Sequence, residues 1–493
     1  MTRTAAEIGA GLAPAREARP IRTGERIHVV GVAGAGASAA ALLGAERGAI
    51  VSGCDPGGPS PYTPALEAAG IPLLWAHDAA HADGDPRPER LAVTKALTAI
   101  TPDHPELVAA TALGIPLEPW QQVVADAAAG QALVAVAGTH GKSTTAGWLT
   151  HVLVAAGLDP AAFVGALLPA SITGGLPATA RQGRGAPFVV EADEYAGNFD
   201  AYRPSIVALT TIEWDHPDVF ADRGAVLGAF ATWLARAPEA TIVANVGDPG
   251  VRDLLDRLEG RPARLVTTAL GDGEADITGR IVAADAAGTT VELIRRQTAP
   301  DPSTLRVPLT GPHNAANALL VVAVALELGA GLSEVAAAIA SFPGVGRRLE
   351  RKGEARGVVV YDDYGHHPTA IRATIAALRQ REPGRRVWAV YEPLTFHRTA
   401  ALLDDFADAL AGADAVAVAD IWAGRDPDTT ITSAEALVDA VRSRRPDLIA
   451  EAPGSVEATA AWLASQVRGG DAVLVMGGGR SYRIAELLLQ GLE

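Results

Sequence analysis

The chain has 493 residues, 48% hydrophobic and 20% charged; this is a globular composition, and at about 100–200 residues per domain it implies roughly three units. Cys54 is the sole cysteine, which excludes a disulfide scaffold and any zinc cluster made of several cysteines. With 41 basic against 57 acidic side chains and a net charge of -16, neither nucleic acid nor an anionic membrane is the expected partner.

Residues 1–26 are polar and lack the apolar core of a signal peptide, and no apolar run approaches the roughly 18 residues needed to span a bilayer. This predicts a mobile leader on a soluble, cytoplasmic protein. A first unit, 27–130, opens with the apolar strand Ile27–Val30, which runs into Gly31, Gly34 and Gly36 and then an Ala-rich helix. A second strand near Ile50 and Val51 ends at Asp55, the polar segment from His81 to Arg90 reads as a surface loop, and Gly114-Ile-Pro-Leu reads as a strand.

A second unit, 131–343, begins with the buried-strand pattern Leu133–Ala137, followed by a glycine loop and a helix through Leu153. Strands are predicted from Phe188, from Ile206 and from Thr241, with helical stretches between several of them, so the sheet should be mainly parallel. Residues 278–295 read as an antiparallel addition turning at Gly288. An apolar helix from Ala315 to Leu328 and a shorter one ending near Phe342 close the unit, and Pro343-Gly-Val-Gly346 reads as a hinge. A third unit, 344–493, repeats the pattern with strands near Val358, Val387, Ala415 and Ala472. The expected fold is three consecutive α/β domains.

The loop Gly138-Thr139-His140-Gly141-Lys142-Ser143-Thr144 lies between a strand and a helix. Such a loop aims backbone N–H groups at phosphates, while its lysine reaches the terminal phosphates and its hydroxyl ligates Mg²⁺, which points to ATP. Val136 stands where the general pattern has another glycine, so the loop is a shortened variant. Glu191 and His216 fall at strand ends of the same unit, where both can join Ser143 around a metal ion; capping or solvated loop roles compete. The turn at Gly34 and Gly36, with Asp55 about twenty residues on, is superficially like a dinucleotide site, but its spacing is not G-x-G-x-x-G. Another nucleotide diphosphate, or a purely structural turn, fits it as well. In the third unit, Asp362-Asp363-Tyr364-Gly365-His366-His367 follows a strand, with Arg347 and Arg348 at its entrance. That cluster can handle ribose, phosphate and a carboxylate.

Taken in order, these motifs, with Gly311-Pro-His-Asn-Ala-Ala-Asn317 and Gly344-Val-Gly-Arg-Arg348, resemble the Mur ligase family of ATP-dependent, amide-forming enzymes of peptidoglycan precursor synthesis. The resemblance runs from about Ile27 to the C-terminus. It is greatest to the branch that adds L-alanine to UDP-N-acetylmuramate, on Gly34-Ala-Gly-Ala-Ser38, Ser52-Gly-Cys-Asp55 and His397-Arg398-Thr399. It implies a Rossmann-like UDP-sugar domain, a central P-loop ATPase domain and a Rossmann-like C-terminal domain that closes over ATP. By the same resemblance, Gly34, Gly36, Ser38, Asp55 and His77 serve the UDP-sugar. The loop 138–144 with His313, Asn314, Asn317 and Asp362 or Asp363 binds ATP, and Ser143, Glu191 and His216 hold Mg²⁺. Lys142, Arg347 and His366 are catalytic, with Arg347 approaching the γ-phosphate, and Tyr364, His366 and Arg398 form the amino-acid pocket. The implied reaction activates the sugar carboxylate as an acyl phosphate, which the amine then attacks. Two arginines usual in the alanine-adding branch are replaced, one by Trp120 and one within Pro393-Leu394-Thr395-Phe396-His397-Arg398. Glu194-Tyr195 and Tyr202-Arg-Pro are similar to the branch that reattaches a recovered tripeptide, so the acceptor stays open between an amino acid and a tripeptide. An NAD-dependent oxidoreductase is the alternative from another class, and it leaves the phosphate loop and the third-unit cluster without a role.

Overall fold

The computed structural model describes every residue except 1, 2, 99, 102, 259, 261, 297–302, 425 and 427. Its strands form three sheets. The first is wholly parallel, in the spatial order Leu73–Leu74, Ile50–Cys54, Arg26–Val30, Arg90–Val93, Leu117–Pro119. The helix Ala35–Glu46 leaves the glycine turn and covers it, and its small side chains let it lie close to the sheet.

The central sheet has ten strands. Its middle is parallel: Thr241–Asn245, Ile206–Leu209, Ala132–Ala137, Pro187–Ala192 and Ala161–Leu168 lie side by side. These strands read as unbroken apolar runs because helices cover both faces. At one edge Ile277–Asp285, Gly288–Arg295 and Ser303–Val307 add an antiparallel flap, as the Gly288 turn predicted, with one strand more than expected. Helix Pro312–Glu327 is buried from Asn314 to Ala325 apart from Ala316, and Pro312 suits the first turn, where its missing N–H costs no bond. It underlies the phosphate loop.

The third sheet runs Glu350–Ala355, Val358–Asp363, Asp471–Gly477, Arg386–Glu392, Ala415–Ala419, Ile449–Gly454, parallel except for its first pair. Parallel strands deliver all their carboxyl ends to one edge, where crevices form. In all three sheets that edge faces a shared cavity.

Three expectations are corrected. The leader is held, not mobile: Ile8 is fully buried and its carbonyl accepts from Thr98 Oγ1 at 2.6 Å. Arg16 pairs with Glu118 at 2.8 Å and Asp126 at 2.7 Å. The expected surface loop ends in a strand, because Arg90 is only 2% exposed and lies among Glu25, Glu118 and Asp126. The buried carboxylates need these cations, which draws both segments inward. The strand expected at Gly114 begins at Leu117, since Gly114, at φ 70°, lies in the turn that leaves helix Pro105–Ala112.

Candidate functional site

The phosphate loop joins Ala132–Ala137 to helix Lys142–Ala155. Gly138 (φ 134°) and Gly141 (φ 82°) adopt backbone that side chains disfavour, and a Cβ at Gly141 would lie 2.8 Å from Asn317 Oδ1. The amides of Thr139 and His140 are already engaged by Thr211, to its carbonyl at 2.7 Å and its hydroxyl at 3.0 Å. These two residues therefore brace the loop 210–216. The helix's first ladder bond is Thr145 N–H to the Gly141 carbonyl, so the amides of 142–144 point out of its N-terminus, the geometry that suits an anion.

Lys142 Nζ donates to the Gly138 carbonyl at 2.6 Å and to Glu194 at 2.8 Å, with Asp193 at 3.5 Å. Burial disfavours the ammonium, but the facing carboxylates outweigh it and hold its pKa above the usual lysine range. Burial pushes Glu194 up to about 7. Ser143 Oγ donates to Glu191 at 3.0 Å, and the other Glu191 oxygen accepts from Gly165 N–H at 2.6 Å. An adjacent hydroxyl and a fixed carboxylate are hard oxygen donors. His216 does not join them directly: it groups with Asp193 and Glu194, and its Nδ1 lies 3.0 Å from Arg398 Nη2.

A cavity of about 430 Å³ takes walls from all three units: the turn at Gly34 and Gly36 with Trp120, the loop at Lys142 with Glu191, and Tyr364 with Arg398. Trp120 stacks edge-on to Phe163 and lies so close over Gly36 that a Cβ there would overlap the indole. Arg398, 2% exposed, pairs with Asp215 at 2.7 Å, linking the third unit to the second. His366 Nδ1 is 2.8 Å from the Tyr364 carbonyl, and burial with nearby Arg398 holds its pKa well below the usual histidine value. It is a neutral imidazole with Nδ1 as donor and Nε2 free to accept. A second cavity of about 240 Å³ adjoins the loop, lined by Thr144, His313, Asn314, Asn317 and Asp363.

Several of the expected site residues sit differently from their expected places. Arg348, not Arg347, reaches the phosphate loop: its Nη2 donates to Ser143 Oγ at 2.8 Å, whereas Arg347 pairs with Asp362 at 3.1 Å and donates to the Gly477 carbonyl and Ser481 hydroxyl at 2.8 Å. The positive φ of Arg347 (57°) reverses the chain, so the two neighbours diverge. Asp362 is fully buried in that pair, and Asp363 is the one on the second cavity. Ser38 is buried against Thr179 at 2.9 Å, and His77 lies beside Cys54 and Glu106; neither lines the large cavity. Asp55 shapes the glycine turn by accepting from Ala33 N–H at 3.2 Å and Gly57 N–H at 2.9 Å. Sequence reasoning missed Glu213, which lies 2.8 Å from His140 Nε2 and 3.6 Å from His367 Nδ1 and so links the loop to the third unit. Only its place one residue before Trp214-Asp215-His216 hinted at it.

The chain matches the Mur ligase family, catalytic domain, over residues 26–132, the Mur ligase middle domain over 136–325, and the Mur ligase, glutamate ligase domain over 347–479. It is 37% identical to the UDP-N-acetylmuramate--L-alanine ligase of Frankia casuarinae, over 95% of this chain and 99% of that one. Its fold is similar to the UDP-N-acetylmuramate-alanine ligase of Thermotoga maritima (TM-score 0.77, 24% identity, 94% and 98% coverage). The murein peptide ligase of Psychrobacter arcticus is similar too (TM-score 0.73, 25% identity, 95% and 99% coverage). With the phosphate loop and the three-walled cavity in place along its length, the chain belongs to the Mur ligase family.

Proposed function

We propose that this chain uses ATP to join L-alanine to the carboxylate of UDP-N-acetylmuramate in peptidoglycan precursor synthesis. The observation that carries this reading is the 37% identity, over nearly the full length of both chains, to a ligase named for that reaction. Domain divisions near residues 130 and 343 let three units close on one cavity, and the nucleotide-linked substrates place the reaction in the cytoplasm. The turn at Gly34 and Gly36, shaped by Asp55, would receive the UDP-sugar. The second cavity, with His313, Asn314, Asn317 and Asp363, would take the nucleoside of ATP, and the amides of 142–144 with Lys142 its phosphates.

Ser143 and Glu191 suit Mg²⁺, because their oxygens are adjacent and Glu191 is oriented by Gly165 N–H. When bound, such an ion would neutralise phosphate charge. Lys142 and Arg348 stabilise the charge that develops as the sugar carboxylate displaces ADP from the γ-phosphate. A free carboxylate is a poor electrophile, whereas the resulting acyl phosphate carries a good leaving group. Arg398, fixed by Asp215, and Tyr364 position the amino acid. Neutral His366 can accept a hydrogen bond from the incoming amine through Nε2 and so orient it for attack; with its pKa held well below the usual histidine value it positions the amine and does not take the proton of an ammonium group. Closure of the third unit excludes the water that would hydrolyse the intermediate.

The test is a heavy-oxygen label in the UDP-N-acetylmuramate carboxylate. Label must appear in the released phosphate; unlabelled phosphate accompanied by labelled product would end the acyl-phosphate reading.

A further inference from the structure

Outside the large cavity, behind the first sheet's glycine turn, four of the chain's eleven histidines gather around one carboxylate. Glu106 is fully buried. His81 Nδ1 lies 2.7 Å from it, His77 Nδ1 3.5 Å and His28 Nε2 3.7 Å. Cys54 Sγ lies 3.1 and 3.2 Å from the two Glu106 oxygens and 3.4 Å from His28 Nε2. One ligand atom each from His28, Cys54, His81 and Glu106 falls within 4.8 Å of all the others. We propose that these four residues bind a divalent transition metal ion, zinc by the chemistry of the set.

Tetrahedral zinc, with bonds of about 2.3 Å to sulfur and about 2.0–2.1 Å to nitrogen or oxygen, sets its ligand atoms roughly 3.3–3.6 Å apart. The His28, Cys54 and Glu106 separations lie close to that spacing before any adjustment, and His81 need only move off its hydrogen bond to Glu106. Thiolate and imidazole favour zinc over Mg²⁺ or Ca²⁺. One thiolate and one carboxylate neutralise the ion, so the buried site carries no net charge. A second observation is independent of this set: His104 is 2% exposed, neither of its ring nitrogens has a partner, and its ring meets His77 edge-on at 4.1 Å. Such an imidazole is costly in a cluster that serves packing alone, and it places a further unpaired nitrogen donor against His77, at the edge of the proposed set. His77 and His81, 16% and 14% exposed at the side chain, form the entry side.

The consequence is positional. The Cys54 carbonyl accepts from Gly31 N–H at 2.8 Å and Val32 N–H at 3.1 Å. An ion here would tie the segments bearing His77, His81 and Glu106 to the strand end that supports the glycine turn.

The test is to titrate chelator-treated full-length protein with Co(II), then with Zn(II). The expected result is one equivalent of Co(II) giving strong visible bands of a tetrahedral ion and a near-ultraviolet thiolate charge-transfer band, both removed by Zn(II). Because Cys54 is the only thiol in the chain, that band reports this site and not the oxygen donors at Ser143. His81→Gln should weaken Co(II) binding by about tenfold or more, and Cys54→Ser should abolish the charge-transfer band. Absence of the band in the unsubstituted chain, or its persistence in Cys54→Ser, overturns the proposal; the first of these needs no variant to fold.

Discussion

Two adjacent arginines make opposite predictions when each is replaced by alanine. Arg348 crosses from the third unit to the phosphate loop, 2.8 Å from Ser143 Oγ, and its guanidinium lies 5.1 Å from the Tyr364 ring centre. Among the described residues no carboxylate pairs with it directly, but it is the foremost cation favouring the charged form of buried Asp363, so Arg348→Ala costs some stability, less than the loss of a direct buried pair. An arginine that stabilises a transferring phosphoryl group contributes about a thousandfold or more in turnover, which at about 1.4 kcal/mol per tenfold is about 4 kcal/mol of barrier. Arg347→Ala instead leaves fully buried Asp362 without its partner and removes two further hydrogen bonds. Breaking a buried pair costs about 3–5 kcal/mol of stability, although Asp362, pushed up to about 6 by burial against the pull of Arg347, can recover part of that by taking up a proton. The assay is phosphate release under saturating substrates beside urea unfolding of the same preparations. Arg348→Ala should unfold closer to the parent than Arg347→Ala does and turn over about a thousandfold more slowly, and Arg347→Ala should unfold at clearly lower urea. The reverse pattern, a stable but inactive Arg347→Ala with an active Arg348→Ala, refutes the placement.

Replacing Lys142 with alanine should lower turnover by about a hundredfold to a thousandfold, as loss of a charge-stabilising donor does; an unchanged ligation rate removes Lys142 from the chemistry. Gly36→Ala should raise KM for the UDP-sugar and cost about 1–3 kcal/mol through overlap with Trp120. The double variant with Trp120→Ala should recover stability, and failure to do so places the strain elsewhere. Glu25, paired with Arg19 and Arg90, is held down to about 2, because these pairs and Arg22 N–H outweigh its burial. Folded Glu25 binds its proton less readily than the unfolded side chain, so its contribution is complete above about pH 4.5 and is lost as pH falls toward about 2. Glu25→Gln should flatten the acid limb of the unfolding midpoint against pH, and an unchanged limb contradicts the pairing.

The central sheet's middle and the phosphate loop were legible because buried parallel strands are written as local apolar runs ending in glycine turns, as at Leu133–Gly138. Strand Ala161–Leu168 was not, since its alanines and glycine carry little strand preference and its place is fixed by neighbours far along the chain. Arg90 reads as a loop residue until Glu25, Glu118 and Asp126, distant in sequence, are brought around it. At the site, residue types were legible and their division of labour was not. Asp362 and Asp363 alternate across one strand, so one faces Arg347 and the other the second cavity, and only the register decides which. The same holds for Arg347 and Arg348, adjacent in the chain and turned apart by the left-handed backbone of Arg347. The histidines around Glu106 are scattered over 77 positions, from His28 to His104, and no spacing rule connects them.

The central claim is the identity of the acceptor, and the direct measurement is phosphate release from ATP with UDP-N-acetylmuramate as L-alanine, L-serine, glycine or the murein tripeptide is added in turn, with product masses recorded. Release and ligation are expected with L-alanine, one phosphate per product, at a kcat/KM well above that for any other acceptor. Ligation of the tripeptide in preference to L-alanine would contradict that claim and assign the cavity beside Leu394 and Arg398 to the larger acceptor.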